Sequence, residues 1–496
     1  MTQPESLGRR TLAALVWSYG GSALRAVLQL VFQLVLARLL GPEAFGQAAI
    51  AMLVLSFGWI LSEAGFGAAL IQKEGMTDDD VRYALGWVLL SSSLLAVVIV
   101  ALSGFIAEEA GDANTRNLLI VAGLLVPIQA VCNIPTSLMR RRLQAKQAQT
   151  IFLSGYALCY GLVGIPAAVA GAGPWALLGA FASHSVFHLV VSWRVARCPW
   201  RPTLQGDASL IKFGLKVTLA NMGNWASENV DRFLISRFWG AAALGAYGAA
   251  ANLSRAPASL ITGSLQSVAF ASASRVQQAP EIVRASFLAM VNVLSVLTWP
   301  VLVAMAVLAD PIIHLLYGER WALAGPLFCA FSLALIPVTI LSVIGPLLWA
   351  VNRVAADVQG QLLTICALVG GLVVLANRPL EHAVWVVPAA YALRTFWMGS
   401  RLAGAIGASA RDIARATRGG LLLAMLTVLV AWVSLAVLPP VSAMAATAVA
   451  GAILVLGMLR LWPRALLPEV LPMLRARAAE VPALGRLARW LGEDTP

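Results

Sequence analysis

Ser22, Arg25, Gln29 and Gln33 are spaced three, four and four residues apart, and so are Asn221, Asn224, Glu228 and Arg232. That spacing lays each set along one face of a helix. The sets lie 199 residues apart, and the same offset puts Ser56 on Arg255. Their surroundings are apolar, and a charged ridge facing lipid is expensive, so each ridge is expected to line a polar cavity. The chemistry is that of holding a polar solute, with Arg25, Arg255, Arg394, Gln29 and Asn224 as the binding candidates. Glu228, Asp231, Arg232 and Glu63 are the candidates for ion coupling or gating. Other readings stand beside these. Ser22, Gln33 and Asn221 also suit a helix–helix interface. Glu228 and Arg232, four apart with Asp231 adjacent, also suit a structural ion pair. Glu63 suits either a coupling ion or a gate salt bridge, and Arg394 has no obvious partner in sequence.

Catalytic chemistry finds no support. The chain has no P-loop, nucleophile elbow or HExxH. His184 and His188 have metal-ligand spacing, but no carboxylate or Cys stands near them on that helix, so no metal or other cofactor is expected. Membrane histidines with satisfied nitrogens, or a minor proton role, fit them better. The five cysteines are odd in number, without a CxxC pair, and read as small core residues. Asp78-Asp79-Asp80 reads as a helix N-cap and solvated face.

The elements that position these residues are membrane spans. The 496 residues are 60% hydrophobic and 12% charged, against about 25% charged in a soluble domain. Runs of about 20 apolar residues predict an all-α integral membrane protein of about fourteen spans: 12–38, 43–70, 83–106, 117–137, 150–171, 174–194, 211–238, 242–271, 284–309, 324–350, 358–377, 382–404, 419–438 and 441–461. No cleavable signal is expected, because residues 1–10 are polar and the apolar stretch beyond them is long. With the N-terminus in the cytoplasm, 26 of the 35 basic residues fall on cytoplasmic ends and loops and 5 on outer loops. The other four, Arg25, Arg232, Arg255 and Arg394, lie within spans. That asymmetry predicts both termini in the cytoplasm. It also makes the net charge of +12 a matter of topology, not of nucleic-acid binding.

The 199-residue offset also lays Arg38-x-x-Gly41-x-x-x-x-Gly46 on Arg237-x-x-Gly240-x-x-x-x-Gly245. Six spans separate the copies, so they have the same orientation, as parallel repeats do. The expected domains are therefore a six-helix lobe over 1–206, a second over 207–410, a helix pair over 411–462 and a basic amphipathic cytoplasmic tail over 463–496. Each Arg-x-x-Gly motif is expected at an outer turn, where its glycines allow close helix approach.

Several stretches carry a family resemblance. LARLLGPEAFGQAAIAML at 36–53 and GFGAALIQKEGMTDDD at 65–80 resemble the opening hairpin and first inner loop of polysaccharide flippases. NVDRFLISRFWGAAALGAYGAAANLSRAP at 229–257 resembles their seventh and eighth helices, and LADPIIHLLYGERWALAGPLF at 308–328 their loop before span 10. The family is the Wzx-like oligosaccharide/polysaccharide flippase branch of the multidrug/oligosaccharidyl-lipid/polysaccharide exporter superfamily. VAFASASRVQ at 268–277 departs from it, with Ala271 where the family usually has a kinking Pro.

The resemblance implies a flippase, not an enzyme, that works by alternating access in a bacterial inner membrane. It would move an undecaprenyl-diphosphate-linked oligosaccharide from the cytoplasmic to the periplasmic leaflet, for lipopolysaccharide or exopolysaccharide biosynthesis. On that reading Arg25 and Arg255 hold the diphosphate, with Arg394 as a third candidate, because guanidinium forks match phosphate oxygens. Gln29 and Asn224 suit sugar hydroxyls, and H⁺ or Na⁺ acting on Glu228 or Asp231 would supply coupling. Membrane lipids are partners, and polysaccharide polymerases or glycosyltransferases are further candidates. The alternatives are a cation-coupled multidrug exporter of the same superfamily and, with less support, a polyprenyl-linked glycosyltransferase or polymerase.

Overall fold

The computed structural model describes residues 4–63, 65–274, 280–463, 468 and 470. Most of the expected tail over 463–496 lies outside the described residues. Among the described residues the chain is helical, without strands. It divides into two compact units, Met1–Gly248 and Ala249–Pro496. Among the described residues, ten helices are long and apolar enough to cross a bilayer. One of them, Gly20–Glu63, is 44 residues long and holds the first two expected spans.

In the first unit α1 (Pro4–Glu63) turns at Gly41. The second expected span ends short of residue 70. Gly65 adopts φ 65°, ψ 11°, which breaks the helix, and α2 (Phe66–Gln72) follows separately. α3 (Asp78–Glu109) starts on a capping box: the Thr77 N–H donates to Asp80 at 2.9 Å, and Asp80 N–H donates to the Thr77 hydroxyl at 3.4 Å. The acidic run thus caps a helix, where negative charge suits the dipole. α4 (Arg116–Arg141), α5 (Ala145–Cys159), α6 (Ile165–Val169) and α7 (Pro174–Ala196) complete the first six spans. Between α5 and α6 lies a π-helical turn, Tyr160–Gly164. Pro166 cannot donate to the turn before it, which favours such a widening. α8 (Ser209–Ser274) turns at Gly240 and carries the seventh and eighth expected spans. It continues as helix through Ala271, where no proline interrupts it.

The second unit contains the end of α8, then α9 (Pro280–Val307), α10 (Ala309–Leu316), α11 (Ala324–Ala350), α12 (Val354–Val374), α13 (Leu380–Ala383), α14 (Val386–Ile406), α15 (Ala410–Val437) and α16 (Pro440–Leu461). α9 packs along α15: Arg284 pairs with Asp412 at 2.6 Å, Asn292 donates to the Ala416 carbonyl at 2.7 Å, and Gly420 lies against Ser295. α8 and α14 have span length as well, and they carry the charged ridge and Arg394. Large apolar side chains such as Val97, Leu162, Val374, Phe396 and Trp432 are exposed, as contact with hydrocarbon requires.

Candidate functional site

Arg25 lies open on α1, and its guanidinium carbon sits 3.6 Å from the centre of the Phe152 ring. Phe152 heads an aromatic column. It stacks on Tyr156 at 5.8 Å, and Tyr156 stacks on Tyr160 at 4.0 Å, carrying the column into the π-helical turn. Phe32 of α1 meets Tyr156 edge-on at 5.8 Å. α7 adds His184, whose ring lies 4.9 Å from Phe152 at 78°. A guanidinium over an aromatic face is held there by the ring's quadrupole, with its N–H edges free for an anion. The two tyrosines are buried, so the support beneath Arg25 is fixed. Sequence reasoning missed Phe152, Tyr156 and Tyr160, although their four-residue spacing marks one face of span 5. Gln29 and Gln33 lie half-buried further along the ridge.

On α8, Asn221, Asn224 and Glu228 are exposed and Arg232 is half-buried. Between them Trp225 turns to α1, donating its indole N–H to the Ser56 hydroxyl at 3.0 Å and packing 4.9 Å from Phe57. The ion pair considered for Glu228 and Arg232 does not form: among the described residues neither side chain joins a salt bridge, since Glu228 stays on the open face. Asp231, only 8% exposed, accepts the Tyr247 hydroxyl at 2.5 Å and the Arg232 backbone N–H at 2.8 Å. It thereby ties the two arms of α8 across the Gly240 turn.

The two Arg-x-x-Gly motifs are conformational twins. Gly41 has φ 79°, ψ 171° and Gly240 has φ 82°, ψ 179°, a region open essentially to glycine alone. One turn beyond, a Cβ on Gly46 would overlap the Ala241 carbonyl, and a Cβ on Gly245 would overlap the Pro42 carbonyl. The 199-residue offset carries Gly46 to Gly245 and Pro42 to Ala241, so the two contacts are repeat mates. Ser236 donates to the Ala110 carbonyl at 2.6 Å and Arg237 meets Glu109 at 3.3 Å beside them.

At the far end of the same helices, Gly65 lies against the Gly214 backbone. Glu63 is half-buried and hydrogen-bonds the Asn133 side chain and the Gly67 backbone. Among the described residues it joins no ion pair, and these hydrogen bonds to α4 and to the start of α2 stand where the gate salt bridge was considered. Two ion pairs at this end belong to Lys73, which meets Asp80 at 2.6 Å and Asp207 at 2.7 Å, and a third joins Arg82 to Asp79 at 3.1 Å. Its two carboxylate partners hold the Lys73 ammonium above its ordinary range, and Lys73 with Ser209 holds the Asp207 carboxyl well below its own.

In the second unit Arg255 is exposed on α8. Arg394 of α14 has a partner after all: it donates to Asp357 of α12 at 3.2 Å, and the Trp349 indole N–H donates to the other carboxylate oxygen at 3.0 Å. Asp357 was missed, yet its place in the first turn of an otherwise uncharged span was a visible signal. Among the described residues no cluster of three or more His, Cys, Asp or Glu suits a metal ion.

The model of the family described as polysaccharide biosynthesis protein matches residues 35–326, more than half of the chain, and the chain belongs to that family. It is 25% identical over 360 residues to an uncharacterized membrane protein in the cps region of Klebsiella pneumoniae, covering 71% of this chain and 74% of that one. It is also 25% identical over 357 residues to the succinoglycan biosynthesis transport protein ExoT of Rhizobium meliloti (strain 1021), covering 71% and 72%. Among solved structures it resembles the lipid II flippase MurJ in its inward closed conformation, with TM-score 0.69 at 12% identity, over 89% of this chain and 98% of that one. That likeness establishes the fold, a multi-pass membrane helix bundle.

Proposed function

We propose that this member of the polysaccharide biosynthesis protein family is a flippase, not an enzyme. It carries an undecaprenyl-diphosphate-linked oligosaccharide from the cytoplasmic to the periplasmic leaflet of a bacterial inner membrane, by alternating access and with both termini in the cytoplasm. The observation that carries the reading is Arg25. An open guanidinium held flat on a buried aromatic column is a fixed cation without a carboxylate beside it, which suits a phosphate diester better than an organic cation.

Arg255, open on its own helix, is assigned the same chemistry, and Gln29 and Asn224 are assigned to sugar hydroxyls. Arg394 is the weakest of the three arginines for this role, because Asp357 already matches its charge. Asp231 and Arg232 are assigned to the Gly240 turn as gating elements, Glu63 to the gate at the opposite end, and Glu228 to a response to H⁺ or Na⁺. Glycosyltransferases that build the lipid-linked glycan and polymerases that consume it are the partners this role calls for.

The test is Arg25→Ala and Arg255→Ala in cells lacking the native gene. We expect surface polysaccharide to fall on the order of tenfold or more, equivalent to ~1.4 kcal/mol of lost binding, at normal protein level. Full polysaccharide in both variants would overturn the diphosphate role, and efflux of fluorescent cations would point to a drug exporter instead. For coupling, equal flipping by wild type and Glu228→Gln, with and without a pH or Na⁺ gradient, would remove Glu228.

A further inference from the structure

Phe152 brings three cationic or potentially cationic groups around one ring. Arg25 covers its face, the His184 ring lies 4.9 Å away and the His188 ring 6.3 Å away. The imidazoles, four residues apart on α7, stand 5.9 Å from each other with their planes 29° apart. His184 is 6% exposed, and its Nε2 has no hydrogen-bond partner. A buried nitrogen left unpaired is costly, and a leucine or phenylalanine would fill the space without that cost. Two nitrogen ligands without a third protein ligand do not make a metal site.

We propose that His184 and His188 form a proton site that loads together with an anion on Arg25, so that one proton accompanies the diphosphate of the substrate. The proposal rests on the assignment of Arg25 made above. The groups that act on the pair are Arg25 from α1, the Phe152 backbone carbonyl, which accepts from His184, and the Tyr156 ring 5.6 Å from His184, with Arg140 of α4 acting on Arg25 from further off; Cys132 of α4 bonds the Ser185 carbonyl, and Cys159 and Tyr160 lie against each other. None of these is a carboxylate, so in the empty site an imidazolium has only the neutral Phe152 carbonyl beside it, and Arg25 repels it. A diphosphate diester brings two negative charges. Arg25 matches one of them, and a proton shared by the two imidazoles matches the other. No second proton enters, because two imidazoliums this close repel each other. Linkage then runs in both directions: the anion favours the proton, and the proton favours the anion by the same factor. The proton reduces the net charge of the loaded site, and with it the electrostatic cost of carrying a dianion through hydrocarbon.

The test uses the full-length protein in lipid nanodiscs with undecaprenyl-diphospho-N-acetylglucosamine as the probe. Its diester diphosphate keeps a constant charge between pH 6 and pH 8, so any pH dependence belongs to the protein. We expect wild type to bind the probe up to about a hundredfold more tightly at pH 6 than at pH 8, because uptake of one proton per probe changes affinity about tenfold per pH unit. Binding in weakly buffered solution should take up close to one proton per probe. The His184→Gln/His188→Gln double variant should show a flat profile without proton uptake. His188→Gln alone, at a half-exposed position, serves the same purpose if the double variant does not fold. His314→Gln, at an exposed histidine of the second unit, should keep the wild-type ratio. A flat profile in wild type, or an unchanged ratio in the folded histidine variants, overturns the proton site and leaves Arg25 standing. Failure of wild type to bind the probe at either pH overturns the Arg25 assignment and the proton site together.

Discussion

Where Gly41 and Gly240 turn the long helices of the first unit, contact is backbone on backbone. Gly46 meets the Ala241 carbonyl and Gly245 meets the Pro42 carbonyl, with no room for a methyl group at either. At the other end Gly65 makes one such approach to Gly214, but the link that reaches the linker before α8 is ionic. Lys73 there bridges Asp80 and Asp207 through side chains that are partly in solvent. Close backbone packing is short-ranged, so it either fits or is lost. Exposed ion pairs weaken gradually and answer to salt. The first suits a seal that opens all at once, and the second a strap that yields. With both termini in the cytoplasm, as proposed above, the glycine end faces outside and the lysine end the cytoplasm, the arrangement expected of a carrier that waits for substrate from within.

The largest effect is expected at the twin contacts. Gly46→Val and Gly245→Val each place a Cβ inside a neighbouring carbonyl. Each should reduce polysaccharide export by about tenfold or more, ~1.4 kcal/mol in rate terms, with protein still present in the membrane. Cysteines introduced at Pro42 and Ala241 report the cause, since they should react with a membrane-impermeant thiol reagent faster in the valine variants than in the parent. Normal export with an unopened seal would remove the glycine contact as a functional element.

A smaller effect belongs to the turns themselves. Gly41→Ala and Gly240→Ala leave the space open, because nothing lies within 4 Å of either Cβ position. They force alanine into a glycine-only backbone region at a cost of about 1–3 kcal/mol. Thermal unfolding in detergent should show a loss of stability that is equal in the two variants, since their dihedrals agree within 10°. Unequal losses would show that the two turns, alike in geometry, carry different loads.

Much of this comparison was legible in the sequence. The 199-residue offset found both turns and paired the glycines, because a positive-φ residue next to a close approach leaves a fixed glycine spacing. The helices were legible because spans need long apolar runs, although α8 and α14 are less apolar, since they carry the ridge and Arg394. The partners of the charges were not legible. Asp357 lies 37 residues from Arg394, and Asp207 lies 134 residues from Lys73. Such pairs are set by which helices pack side by side, and hydropathy says nothing of that. The aromatic column under Arg25 had a local signal, the stripe at 152, 156 and 160, but stripes of that kind usually mean core packing.

The smallest effect is expected at Lys73, and its pH and salt dependence separates it from the glycine seal. The Lys73 ammonium is held above its usual range, so its share of the link is fully present below the unfolded value near 10.4 and is lost only as pH rises through the higher folded value. The Asp207 carboxyl is held below its usual range, so its share is present above the unfolded value near 3.9 and is lost only as pH falls through the lower folded value. Between roughly pH 5 and 9 the strap should therefore not change with pH. It should weaken with salt, because the Debye length falls from about 10 Å at 0.1 M to about 3 Å at 1 M. Lys73→Met should change export by less than about fivefold, as expected of an exposed pair. Wild type in 1 M salt should then behave as Lys73→Met does in 0.1 M salt, while the Gly46→Val defect stays unchanged by salt. Hydrogen exchange of the 203–210 backbone is the measurement: faster exchange in Lys73→Met and in high salt supports the strap. Identical exchange in all conditions would mean that the contacts of Gly86 with Thr203 and of Gly206 with Tyr83 hold the linker without Lys73.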